Sequence, residues 1–311
     1  MRRRMDFRIG SRGSALARWQ AEWVKANLAA AGHKAEITCF RTTGDREPSA
    51  ALTGSGVKGL FIKEIEEALL AGRVDLAVHS MKDLPTALPD GLTVGAVPER
   101  EDPRDVLVTK GNVRLDALPL GARVGTSSLR RQSQLRALRS DLSIAPLRGN
   151  VDTRLRKLDE SACDGVVLAA AGLKRLGFEG RISQYFAVEE LCPAVGQGAL
   201  AIEIRRDDSR VAGAIKSFDH TATRSAVGAE RAALRALGGG CDLPFAAYGS
   251  GEQHRMRLLG VVAALDGTRL IRAEASGPAD DPESLGARLA QDLEKQGART
   301  LLASAWLGRP T

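Results

Sequence analysis

The sequence predicts an α/β protein with a small α+β region at its C-terminal end, and three observations carry that prediction. Over roughly the first two-thirds of the chain, short apolar runs alternate with amphipathic stretches, the pattern of strands joined by crossover helices. From about residue 221 the order changes to a helix, a glycine loop and a strand pair joined by Asp266-Gly267, a strong hairpin signal. Between two α/β sets lies PEREDPRD (98–105), charged and proline-marked, which reads as a hinge or interdomain linker. At 311 residues the chain is long enough for two or three domains.

In the first set, strands are expected at Phe7–Gly10, Glu36–Phe40, Leu76–His79 and Leu92–Val97. A helix is expected from about Ser14 to Ala31, with Leu16, Trp19, Trp23 and Leu28 on one face, and another from about Leu60 to Ala71. The second set reads as strand Arg123–Gly125, helix Leu129–Leu138, strand Ser143–Pro146, helix Val151–Leu158 and strand Gly165–Ala169. The tail reads as a helix at about Thr223–Leu237, strands near Met256–Ala264 and Arg269–Ala275, and a helix from about Pro282 to Gln296. Asp281 is placed to cap that last helix, Pro282 fits its first turn, and Gly297 fits the position past its end. No internal repeat and no low-complexity segment is visible in the sequence.

Composition argues for an ordinary globular protein: 43% hydrophobic residues and 27% charged. No apolar run is of signal-peptide or membrane-spanning length, so cytoplasmic residence is the expectation. The net charge is +7, and its location matters more than its size. Residues 121–157 hold nine Arg and Lys against only Asp141 and Asp152, so this window alone accounts for the excess. A local anion-binding surface fits that distribution better than general basicity.

Two strand-to-helix junctions fall inside the window. VGTSSLRRQ (124–132) combines free backbone N–H groups at a helix start, hydroxyl donors at Thr126, Ser127 and Ser128, and the forked donors of Arg130 and Arg131. Helix capping by Ser127 or Ser128 accounts for hydroxyls at this position too, but not for paired arginines. LRGNVDTRLRKLD (147–159) repeats the chemistry: Asn150 fits an N-cap, Val151, Leu155 and Leu158 form a buried stripe, Arg148 precedes the helix and Arg154 lies one turn into it. Solvated surface arginines remain the ordinary alternative for either residue alone; together the junctions suit an extended polyanion. Nucleic acid is disfavoured because no aromatic residue is interleaved for base stacking, and a small polycarboxylate suits arginine forks.

HSMKDLP (79–85) closes an apolar strand with a histidine, a hydroxyl, a cation and an acid. Strand ends in α/β folds open onto ligand crevices, which puts Ser80, Lys82 and Asp83 in position for function. His79 reads as a hydrogen-bonded histidine at a core edge, and Asp83 alone would read as a turn-former. RIGSRGSALARWQ is a further strand–loop–helix anion seat, with Arg12 in the loop. That loop is not GxGxxG, and no GxxxxGK[ST] fingerprint occurs in the sequence.

Cys39, Cys163, Cys192 and Cys241 are scattered singly without metal-ligand spacing, against a zinc site or a disulfide framework. The first three read as small buried or structural residues. Cys241 stands on GGGC, where a thiol is accessible and can approach a partner closely, yet no histidine is placed to activate it for hydrolysis. It reads as an attachment point.

RIGSRGSALA, VKGLFIKEIEEALL, DLAVHSMKDLP, EREDPRD, VGTSSLRRQ, LRGNVDTRL, AAAGLKRLG, PAVGQGA and GGCDLP, in this order and spacing, resemble the porphobilinogen deaminase (hydroxymethylbilane synthase) family along essentially the whole chain. The resemblance implies stepwise condensation of four porphobilinogen molecules, each losing ammonia, and release of the linear tetrapyrrole hydroxymethylbilane. It implies a dipyrromethane cofactor, made from substrate, on a thioether to Cys241. It implies Asp83 as the catalytic carboxylate, and cofactor contacts from Lys82, Asp83, Thr126, Ser127, Ser128, Arg130, Arg131, Arg154 and Gly172. Substrate contacts are implied for Arg12, Ser14, Arg148, Arg154 and Arg175, with no metal. The implied architecture is two α/β domains resembling type II periplasmic binding proteins with a central cleft, plus a small α+β domain: 1–98 with 199–216, 104–192, and 221–311. PAVGQGALAIE (193–203) would return the chain to the first domain. A monomer acting on porphobilinogen, without nucleic acid or membrane, is implied. Two positions depart from the family pattern: Val57 replaces a glycine before Lys58, and Asp242 follows the cysteine where glutamine is frequent. A negative charge beside the thiol would raise its pKa and slow attachment. The rival class is a non-catalytic solute-binding protein, which needs neither a third domain nor a thiol on a loop.

Overall fold

The computed structural model describes residues 5–40, 62–239, 243–252 and 254–307. Val57, Cys241 and Asp242 lie outside them. The chain divides into two compact units, 1–100 with 199–224 and 101–198 with 225–311. Among the described residues no helix is long and apolar enough to cross a membrane.

Unit 1 begins with β1 (Asp6–Arg12), α1 (Ala15–Ala30), β2 (Lys34–Phe40), α2 (Lys63–Leu70), β3 (Leu76–Ser80) and β4 (Leu92–Ala96). In unit 2 the chain forms β5 (Asp105–Thr109), β6 (Arg123–Gly125), α3 (Leu129–Leu138), β7 (Ser143–Ala145), α4 (Val151–Asp159), β8 (Gly165–Ala169), α5 (Ala170–Arg175) and β9 (Gln184–Tyr185). It re-enters unit 1 as β10 (Leu200–Arg205) and α6 (Ser209–Ile215). Then follow α7 (Thr221–Ala236), β11 (Phe245–Glu252), β12 (Arg255–Ala263), β13 (Leu270–Pro278), α8 (Pro282–Lys295) and α9 (Ala298–Leu307).

The sheet of unit 1 has the order β2-β1-β3-β10-β4. β1 runs parallel to β2 and β3, whereas β10 is antiparallel to β3 and β4. The first sheet of unit 2 has the order β7-β6-β8-β5-β9, again with parallel strands on one side and an antiparallel strand, β5, next to last. Two sheets built on one plan thus come from sequences without visible repetition. Unit 2 also holds an antiparallel meander, β11-β12-β13, covered by α7 and α8 through Leu234, Phe245, Leu258, Leu285, Leu289 and Leu293. The expected ranges 104–192 and 221–311 each carry one of these sheets, and a single compact unit encloses both.

Two expectations need correction. The buried stripe of α1 is Ala17, Gln20, Ala21, Val24 and Leu28, while Trp19 is exposed and Leu16 and Trp23 are half-buried. Both stripes have helical spacing; the small Ala17 and Ala21 let the helix lie close on the sheet, and the tryptophans are too large for that face. Cys39 is exposed rather than buried, because β2 is an edge strand. The hairpin is as expected: Asp266 accepts hydrogen bonds from the N–H and Oγ1 of Thr268, and Gly267 has φ +77°. A Cβ at Gly267 would stand 2.6 Å from the backbone nitrogen of Ala137, so glycine there also lets the hairpin close on α3.

Candidate active site

In unit 1 the candidate residues Arg12, Ser14, Lys82 and Asp83 lie at or just beyond the C-terminal ends of the parallel strands β1 and β3. Arg12 is the last residue of β1, and Ser14 caps α1 by accepting from Ala17 N–H at 3.3 Å. β3 ends at Ser80 and passes into a single 3-10 turn, Met81–Asp83. Three bonds hold that strand end. Gln20 Nε2 donates to Ser80 Oγ (2.9 Å), Met81 N–H donates to Ala199 O (3.0 Å), and His79 Nε2 meets Glu203 Oε2 at 3.0 Å. Met81 and Leu84 are buried on either side, so the turn presents Asp83 to solvent with Lys82 half-buried beside it. His79 is thus the hydrogen-bonded core histidine the sequence suggested.

In unit 2 the first junction is more deeply built than its sequence suggests. Thr126 N–H pairs with Ala145 O, its Oγ1 accepts from Ser128 N–H, and Ser128 caps α3 through Arg131 N–H. Arg130 and Arg131, expected as forked donors to an anion, are 4% and 5% exposed. Both point at Asp105, the last residue of the expected linker and in fact the buried first residue of β5. Arg130 Nη1 donates to Asp105 Oδ2 (2.6 Å) and Cys192 O (2.7 Å). Arg131 donates to Asp105 Oδ1 from Nε (3.0 Å) and Nη2 (2.7 Å), and to Val167 O from Nη1 (3.0 Å). Gln197 Nε2 adds a bond to Asp105 Oδ1 (2.9 Å) and one to Pro103 O. Burial alone would push the Asp105 carboxyl up, but the charges and hydrogen bonds of the two arginines outweigh it and hold the group well below the ordinary range.

Two guanidinia against one carboxylate leave this buried group one positive charge in excess. Arg130 Nε and Ser127 Oγ are both buried without a hydrogen-bond partner among the described residues. Unsatisfied buried polar atoms are costly, and a positive cluster with spare donors is what an acidic ligand satisfies. The dipyrromethane implied by the sequence carries carboxylates, so the residues present fit such a group.

The second junction is more open. Arg148 is half-buried, and Arg154 Nε donates to Gly149 O at 2.8 Å, bracing the loop at the start of α4. Asn150 takes the N-cap position without a side-chain capping bond. Gly149 has φ +114°, and a Cβ there would lie 2.7 Å from Thr153 Cγ2. Gly172 is buried in α5, and Arg175 at the end of that helix donates from Nη2 to Gly198 O at 2.8 Å. Burial lowers the Arg175 pKa to about 10, partly opposed by the charge of Glu101.

Sequence reading missed Asp105, Gln197 and Glu203. The available signal for Asp105 was an acid set directly against the apolar run Val106-Leu107-Val108, a position where an unpaired carboxylate is costly and a basic partner is required. Cys192, in contrast, is wholly buried and its thiol is pushed up by that burial, as suits a structural cysteine. No group of metal-binding side chains occurs among the described residues.

Residues 7–213 match the family model described as porphobilinogen deaminase, dipyromethane cofactor binding domain, and residues 225–295 match its C-terminal domain. The porphobilinogen deaminase of Pelobacter propionicus is 52% identical over 303 residues, 97% of each chain. That of Desulforudis audaxviator is 52% identical over 307 residues, 98% of this chain and 99% of the relative. A solved arginine-specific periplasmic binding protein of Salmonella typhimurium aligns at 14% identity and TM-score 0.40 over 68% of this chain and 91% of that one; at that score the likeness assigns nothing here. Two family models in tandem, and relatives half identical over nearly the whole length, place this chain in the porphobilinogen deaminase family.

Proposed function

We propose that the protein is a hydroxymethylbilane synthase: it condenses four porphobilinogen molecules head to tail, with loss of ammonia, and releases the linear tetrapyrrole. The observation that carries the reading is the buried Arg130–Arg131–Asp105 group with its excess positive charge and its spare donors at Arg130 Nε and Ser127 Oγ. Porphobilinogen bears an acetate and a propionate, so a growing chain is the extended polycarboxylate for which several arginine seats are useful.

A dipyrromethane on Cys241 supplies, when bound, the primer end from which the chain is extended. In unit 2 Arg130, Arg131, Arg154, Thr126, Ser127, Ser128 and the buried Gly172, and in unit 1 Lys82, would hold its acidic side chains, while Arg12, Ser14, Arg148, Arg154 and Arg175 would hold those of incoming substrate. Asp105 fixes the two buried guanidinia in direction through its hydrogen bonds, so their orientation is set before binding. Asp83, exposed at the end of a strand clamped by Gln20, Ala199 and Glu203, stabilises the positive charge that develops as the C–N bond of porphobilinogen breaks and ammonia leaves. The Arg175 side chain stays protonated at neutral pH despite its lowered pKa. We read the protein as a cytoplasmic monomer acting on a small molecule; the basic window without interleaved aromatics supports this over nucleic acid.

The test is turnover of porphobilinogen with ammonia release and hydroxymethylbilane as product. Asp83→Ala is expected to keep the fold, since the side chain is exposed, and to lower kcat by roughly 10²–10³-fold or more. Wild-type-like turnover in that variant overturns the assignment of Asp83.

A further inference from the structure

On the α2 side of the unit 1 sheet three ionisable groups meet in the interior; the His79–Glu203 bond steadies the end of β3, and Glu66 has no part in the chemistry above. Glu203, on β10 between β3 and β4, is fully buried; His79 on β3 is 5% exposed and Glu66 on α2 is 8% exposed. Glu203 spends Oε2 on His79 Nε2, leaving Glu203 Oε1 and Glu66 Oε1 buried without a hydrogen-bond partner among the described residues. Two carboxyl groups with an unsatisfied oxygen each, beside one imidazole, cannot all be ionised at low cost.

Among the described residues the surroundings do not cancel the charge. From β1, Arg8 is spent on Asp75 and Gly72 O, and Arg12 ends the strand. From β10, Arg205 is spent on Leu69 O, Val74 O and Asp208. α2 itself adds Glu64 and Glu67 and the exposed Lys63, which reaches Glu67 at 4.0 Å. Among the described residues the acids therefore outnumber the bases that reach them, and α2 packs on the sheet through Ile65, Ala68 and Leu69 directly beside Glu66.

We propose that Glu66, Glu203 and His79 form a pH-sensitive joint between α2 and the sheet, in which a proton kept on Glu66 lets the helix pack against β10 and β3. Loss of that proton sets two carboxylates against each other under the helix and weakens its hold on the strand that leads into the Asp83 turn. Burial first, then the charge of Glu203, raises the Glu66 pKa to about 7, with His79 opposing, which puts the change near neutrality.

Hydrogen exchange of the holoenzyme tests this, with α2 amide rates corrected for intrinsic pH dependence and referred to α1 on the other face of the sheet. Between pH 5.5 and 8 the wild-type α2 protection is expected to fall about tenfold relative to α1, and in Glu66→Gln to stay level. Carboxyl-carbon NMR of the wild type provides a second reading that needs no variant: one glutamate is expected to titrate near pH 7. Equal loss of protection in both helices, the same loss in Glu66→Gln, or a set of glutamates all titrating below about pH 5 overturns the proposal.

Discussion

Each unit buries a cluster of three ionisable side chains, and the two are opposite in make-up. In unit 2, Arg130 and Arg131 share Asp105; in unit 1, Glu203 bonds His79 and the charges of both act on the buried Glu66. The first cluster carries surplus positive charge, is tied by short hydrogen bonds and depresses its acid; the second carries surplus acid, has carboxyl oxygens without partners and raises one of its acids. The difference teaches what each can exchange with the surroundings. A fixed positive group accepts an anion without rearranging, whereas a negative group of weak acids is most easily satisfied by a proton.

The largest expected effect comes from breaking the positive cluster at its centre. Asp105→Ala leaves two buried guanidinia facing each other and is expected to cost about 3–5 kcal/mol of unit 2 stability in denaturant melts. Arg131→Lys keeps the charge but loses the fork that spans Asp105 Oδ1 and Val167 O, a smaller expected loss of about 1.5–3 kcal/mol.

The pH responses should then separate the units by sign. The Asp105 pKa is lower in the fold than in the open chain, so its stabilising effect is present above about pH 4 and is lost as pH falls below that. The Glu66 pKa is higher in the fold, so its contribution is full below the ordinary glutamate range and is lost as pH rises toward about 7. Melting curves should show Asp105→Asn removing part of the acid-side loss. Glu66→Gln should match the wild type at about pH 4 and exceed it at about pH 8, the smallest of these effects. If both variants shift stability in the same direction at the same pH, the contrast between the clusters is wrong.

Much of this was legible in the sequence. Periodicity located most strands and helices of both sheets, and the Asp281 cap, Pro282 and Gly297 marked α8 at its bounds. HSMKDLP lies at the end of β3, and the arginine window spans the two strand-to-helix junctions of unit 2. What was hidden was pairing across distance. Arg130 and Asp105 are 25 positions apart and His79 and Glu203 are 124 apart, and no local pattern announces which buried acid meets which base. The α1 face was misread for a related reason: hydrophobicity ranks tryptophan above alanine, while a helix lying close on a sheet selects for size. β5 was hidden in the charged stretch before it, since Asp105 looked like linker until its partners were in place.

If the arginine seats serve a primer held on Cys241, the intact mass of the purified, active protein reveals it. The account predicts a mass above that of the sequence by two linked pyrrole units, with the increment and the activity both absent in Cys241→Ser. An unmodified mass in a preparation that turns over porphobilinogen would contradict it.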